Sequence, residues 1–209
     1  MFSHLDTRIL KLVKMKNYII ISVATLLLFS SCYISKDLPR DVKVSFNSDF
    51  PINSVQGPEG FIARYSNEEL KQSYIDGLKS ELEDNKVIIV EQGAEFEVTI
   101  EKFSTEESAD DETVDDTNSD ENGTTFTLTS INNKSNGSIK KSDGTSLGTW
   151  AAFKNRNEKL KDRTKKDGTT THWERDFDDD AALRFAEKAG RRAGARIIND
   201  IHAYFKNQQ

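Results

Sequence analysis

The sequence predicts an α+β fold, a single antiparallel or mixed sheet of about five to six strands with two helices packed on one face. Three observations carry that expectation. Apolar residues alternate with polar ones through the middle of the chain, the pattern of half-buried strands. Two flanking stretches, near residues 66–85 and 178–205, instead place apolar residues every three or four positions, the helical period. The strand-like runs follow one another across short polar connections, so the helices segregate to one face rather than alternating with strands.

Val42, Val44 and Phe46 alternate with Lys43 and Ser45, a strand. A loop carrying Pro51, Gly57, Pro58 and Gly60 follows. Ser66 with Glu69 three residues on forms a capping box that opens a helix. Leu70, Tyr74, Leu78 and Leu82, with Ile75 beside them, line one face, and Asn85 is the expected stop. Val87–Val90 and Phe96–Ile100 (continuing to Phe103) read as strands, and Gly93 between them suggests a hairpin. Residues 104–123 hold nine acids and no base, so a disordered acidic loop is expected there. Strand composition resumes at Thr124–Ile131, and Asp143–Gly144 marks a hairpin turn between Ser138–Lys141 and Ser146–Phe153. Residues 154–166 are basic and polar. The last helix carries Leu183, Ala186, Gly190, Ala193, Ile197, Ile201 and Tyr204 on one stripe. Asp178, Asp179 and Asp180 stand at its start, where carboxylates complement the helix dipole.

A length of 209 residues, 35% hydrophobic content and a net charge of −6 allow one modest core. They give no reason to expect nucleic acid as a partner, because phosphate binding needs a concentrated basic surface. One cysteine excludes an internal disulfide and any multi-cysteine metal site. No cofactor is expected.

The N-terminus is the most specific stretch. Tyr18–Phe29 is an apolar run of twelve residues, too short for a comfortable span, which needs about 20. Arg8, Lys11, Lys14 and Lys16 precede it, and Ser30, Ser31 and Cys32 follow, the order of a secretory signal. Met15 is a second candidate start, leaving residues 1–14 outside the protein. Apolar–small–small–Cys resembles the lipobox of bacterial lipoproteins, although Phe29 and Ser31 stand where Leu and a Gly or Ala are usual. The resemblance implies cleavage after residue 31, acylation of Cys32, a tether over 32–40 and one domain over 41–209. Asp37 lies well away from the position following Cys32, so the resemblance favours the outer membrane, with the domain in the periplasm or at the cell surface.

Elsewhere, chemistry is sparse. Asp176, Asp178, Asp180 and Glu187 match an EF-hand count in part, but Ala181 stands where the turn needs Gly, so helix capping is the better reading. His172, Trp173 and Glu174 form the only His–acid cluster after residue 32. A hydrolase or metal-dependent activity on His172 and Glu174, with Asp176, lacks a nucleophile motif and a second ligand at helical spacing. Trp150 and Phe153 lie on opposite faces of one strand, so one is expected in the core and the other is either a docking point or covered by the acidic loop. Gly190 and Gly194, each costing about 1 kcal/mol in a helix relative to Ala, signal a close contact, either inside the fold or with a partner.

In outline the chain is similar to small envelope lipoproteins such as the LPS-assembly lipoprotein and the penicillin-binding-protein activators. The resemblance rests on Leu26–Cys32, the early helix, the DGTSLGTW hairpin and the final helix. The tether, with the absence of a catalytic constellation, points to a membrane-anchored, non-catalytic binding or assembly adaptor with an envelope protein partner. A surface-exposed ligand-binding lipoprotein is the alternative.

Overall fold

Alternation and pairing together decide the strands. In the computed structural model, which describes residues 36–208 apart from 59, 116, 166 and 173–179, β1 is Val42–Phe46 and β2 is Ile52–Val55. A 3-10 turn at Ile62–Arg64 leads into α1, Asn67–Glu83. Then come β3 (Val87–Ile89), β4 (Phe96–Thr113), β5 (Thr125–Lys141), β6 (Ser146–Thr164), β7 (Thr170–His172) and α2 (Ala181–Lys206). The described residues belong to one compact unit.

The expected α+β class holds, with a mixed sheet of seven strands in the order β3-β1-β4-β5-β6-β7. β2 also pairs with β4, beyond the end of β1. The pairs β1–β3, β1–β4 and β2–β4 are parallel, and β4–β5, β5–β6 and β6–β7 are antiparallel. The hairpin expected between β3 and β4 does not form, because β1 inserts between them.

β1 and β2 run along the same edge of β4, and the break between them is filled by a side chain. Asn47 Oδ1 accepts from the Ile100 backbone N–H at 2.6 Å and its Nδ2 donates to the Ile100 carbonyl at 3.0 Å. The amide thus replaces a peptide group at the point where β4 shifts register between Ile100 and Lys102.

Both helices lie on one face of the sheet. The capping box is present as expected: Glu69 N–H donates to Ser66 Oγ at 3.2 Å, and Ser66 N–H donates back to Glu69 Oε2 at 2.8 Å. Leu70, Tyr74, Ile75, Leu78 and Leu82 of α1 are buried. Tyr74, Ile75, Leu78 and Leu82 meet Val44, Phe96, Val98, Ile100, Phe103 and Ile139 from the sheet in one cluster with the Ala and Ile stripe of α2. A second cluster, Phe61, Ile62, Leu70, Ile131, Ala181, Ala182 and Phe185, covers the sheet farther out.

Two expectations need correction. The acidic run is not a loop throughout, because residues 104–113 continue β4 and pair residue by residue with β5. Only the connection near 114–124 turns. The basic stretch after Phe153 likewise continues β6 as far as Thr164. The β4–β5 ladder is accompanied by cross-strand polar contacts such as Thr127 Oγ1 donating to Asp111 Oδ1 at 2.7 Å. Asp180 does occupy the α2 N-cap position but makes no side-chain cap bond; its carboxylate accepts from the Tyr65 hydroxyl at 3.2 Å instead. Asp178 and Asp179 lie outside the described residues.

Candidate functional site

The last turn of α2 closes over the end of the sheet where β4 begins and β5 ends. A groove of about 330 Å³ opens there, lined by Arg40, Glu95, Phe96, Lys141, Ser142, Tyr204 and Phe205. An adjoining recess of about 260 Å³ shares Tyr204 and adds Ser146, Leu147, Asp200, Ala203 and Asn207. Each wall has a local cause. Phe96 is the first inward residue of β4 and is buried. Tyr204 and Phe205 end the apolar stripe of α2 and remain half-buried, since the sheet runs out beneath them. The three rings pack edge to face, with centroids 5.6 Å apart for Phe96–Tyr204, 6.0 Å for Phe96–Phe205 and 5.7 Å for Tyr204–Phe205. Such pairs add roughly 0.5–1.5 kcal/mol beyond their burial.

Two cations sit over this aromatic floor. The Arg40 guanidinium lies 5.1 Å from the Phe205 centroid and the Lys141 ammonium 5.6 Å from that of Tyr204. Arg40 grips Glu95 through both nitrogens, at 3.0 and 2.6 Å. That bond is the main reason the Glu95 carboxyl is held below the usual range. Lys141 donates to Asp143 at 2.6 Å, which with the Thr145 N–H holds the Asp143 carboxyl well below the ordinary value. In the recess, burial pushes the Asp200 carboxyl up although Arg196 stands 3.3 Å away. Ring faces, a phenol hydroxyl and two cations already matched to carboxylates make a surface suited to recognition by stacking and hydrogen bonding.

The sequence-predicted residues fall elsewhere. Cys32, Trp173, Glu174 and Asp176 lie outside the described residues, and of His172 only its backbone place in β7 is described, so the structure does not bring the His172–Glu174 pair together for inspection. Trp150 is 2% exposed and belongs to the core, whereas Phe153 is 47% exposed on the opposite face with Lys134 Nζ 5.5 Å from its ring centroid. Gly190 and Gly194 face α1: a Cβ on Gly190 would lie 1.9 Å from the Tyr74 carbonyl oxygen, and one on Gly194 2.8 Å from Glu81 Cβ. Of the four partner-contact candidates, Trp150, Gly190 and Gly194 are therefore occupied by internal packing, and only Phe153 is on the surface. Among the described residues, no three His, Cys, Asp or Glu side chains gather as a metal site would need.

Sequence reasoning missed the groove because Arg40, Glu95, Lys141 and Phe205 are far apart in the chain. Its one local signal is the Tyr204–Phe205 pair, two adjacent aromatics where the stripe needs only one.

No family model and no curated protein matches the chain. Among solved structures it is similar to a neuraminyllactose-binding hemagglutinin homolog from Helicobacter pylori, at 13% identity over 83% of this chain and 92% of that one, TM-score 0.46. It is also similar to a minor lipoprotein from Acinetobacter baumannii, at 10% identity over 78% and 94%, TM-score 0.40. A third is the PelC dodecamer from Paraburkholderia phytofirmans, at 14% identity over 76% and 92%, TM-score 0.30. Likenesses this distant carry no function across.

Proposed function

We propose that this chain is a lipid-anchored protein of a Gram-negative envelope, acylated at Cys32, and that its domain is a non-catalytic binding or assembly adaptor on the outer membrane. One observation carries the reading. Arg8, Lys11, Lys14 and Lys16, the apolar run Tyr18–Phe29, and then Ser30, Ser31 and Cys32 follow one another in the order of a cleaved lipoprotein signal. Among the described residues no helix is long and apolar enough to cross a membrane, and acyl chains on Cys32 supply the attachment. Two or more chains hold a protein stably where one does not.

Fractionation of cells making wild-type protein and Cys32→Ala tests this. Wild type is expected in the membrane fraction and labelled by a palmitate analogue, and Cys32→Ala in neither state. Soluble, unlabelled wild-type protein overturns the proposal. The surface-exposed alternative is favoured by Phe153, an exposed aromatic under Lys134 on the open sheet face. Protease shaving of intact cells separates the two, since a periplasmic domain is protected.

A further inference from the structure

The tether is shorter than the sequence suggests. The Lys36 backbone N–H already donates to Asn199 Oδ1 of α2 at 2.9 Å. Two residues on, Leu38 is 1% exposed inside the main core, and its carbonyl accepts from Lys86 Nζ at 3.3 Å. The chain from Cys32 to the docked Lys36 therefore reaches at most about 14 Å when fully extended. The headgroup layer of one leaflet is itself about 5–8 Å deep. A domain held on so short a lead cannot stand clear of the lipid.

The groove lies beside that docking point. Asn199 precedes Phe205 by about 9 Å along the helix axis, and Arg40, four residues after Lys36, lines the groove. Its Tyr204 ring, apolar with a polar hydroxyl, and the Arg40 and Lys141 cations are side-chain types that settle at headgroup level, and Phe205 adds apolar area at the acyl boundary. Because Glu95 and Asp143 pair those cations, the surface is near neutral; the anchor, and not long-range attraction, brings it to the bilayer. At the far end of β4 and β5 stand Asp110, Asp111, Glu112, Asp115, Asp120 and Glu121, which anionic lipid repels.

We propose that the groove end of the domain is a membrane-contact surface, with Tyr204, Phe205, Arg40 and Lys141 seated against the phospholipid headgroups of the leaflet that holds the Cys32 acyl chains, and the acidic hairpin directed away. This rests on the acylation of Cys32 proposed above. The acylated full mature protein, reconstituted into vesicles of phosphatidylethanolamine and phosphatidylglycerol, tests it. With Cys32 blocked by lipid, a fluorophore is attached at Asn207→Cys beside the groove or at Thr117→Cys in the far turn, both exposed positions. Nitroxide-bearing lipid is expected to quench the label at 207 several-fold more than the label at 117. Equal quenching, or the reverse order, in protein that floats with the vesicles overturns the contact while leaving the anchor intact. Protein that lacks acyl chains and does not float overturns the anchor and the contact together. A photo-crosslinker at 207 that captures an envelope protein and no lipid in cells also overturns it, assigning the groove to that protein.

Discussion

Gly77 and Gly190 set how closely the two helices approach. A Cβ on Gly77 would lie 2.0 Å from the Glu187 carbonyl oxygen, and one on Gly190 1.9 Å from that of Tyr74, so the contacts interlock backbone against backbone. On an exposed helix, Ala would gain about 1 kcal/mol over Gly. Here the backbone cannot yield as a side chain could, and Gly190→Ala is expected to destabilise the domain by about 1–3 kcal/mol. A urea midpoint equal to or above that of wild type would refute the interlock. The stripe of small residues was legible in the sequence, but its neighbour was not, since one chain does not say which helix fills a groove. Tyr74 makes a second residue-scale case. It stacks on Phe103 at 4.4 Å and meets Phe50 edge-on at 5.9 Å. Its buried hydroxyl faces Ser135, but the pair falls short of hydrogen-bond geometry. Burial pushes the phenol far above its ordinary value, and Ser135 opposes this only weakly. The unfolded phenol titrates near pH 10, so the folded state holds the proton longer and wild type loses stability as pH rises above about 10. Tyr74→Phe should be as stable as wild type or up to about 1 kcal/mol more so at neutral pH, and should fall less steeply in alkali. Parallel stability curves for the two proteins above pH 10 would sink that account.

At the scale of elements, the three long strands explain the acidic block. β2 pairs with β4 only as far as Glu106, and the loop at Gly57 closes against Glu107. From Ser108 to Thr113, β4 has β5 on one side and no strand on the other among the described residues. An open edge invites pairing with another chain, and charges on it discourage that. Replacing Asp110 and Glu112, both exposed, by Val keeps strand propensity and removes the charge. Static light scattering of Asp110→Val/Glu112→Val should show concentration-dependent association, with unfolding free energy in dilute solution changed by less than about 1 kcal/mol. A double variant as monodisperse as wild type would show that the acids are not guarding the edge. The sequence expectation failed here for a physical reason. Asp and Glu are depleted in strands, so local composition points to a loop, while the β5 partner that makes it a strand, with Thr125 against Thr113 and Thr127 against Asp111, lies farther along the chain. The β3–β4 hairpin failed similarly: each strand was legible, but β1 displaced the expected partner. Capping, by contrast, is local, and Ser66 with Glu69 could be read directly.

At the scale of the whole molecule, the expected tether and the fold share residues. The sequence suggested a tether over 32–40, yet Lys36 and Leu38 are part of the fold. A single apolar residue among Lys, Asp, Pro and Arg has no periodicity to reveal its burial, which arises because β1 starts deep in the sheet and the chain must cross α2 to reach it. Were Cys32 acylated as proposed, force on that anchor would load the Lys36–Asn199 bond and the Leu38 socket before it reached β1. Leu38→Ala is expected to cost about 2–4 kcal/mol, as truncating a buried Leu does. A chain starting at Ser35 should unfold at the same midpoint as the acylated protein, whereas one starting at Asp41 should be destabilised at least as much as Leu38→Ala. If the Ser35 and Asp41 chains unfold alike, the first residues are a passive lead, and the short-tether geometry proposed to press the groove onto the bilayer falls with them.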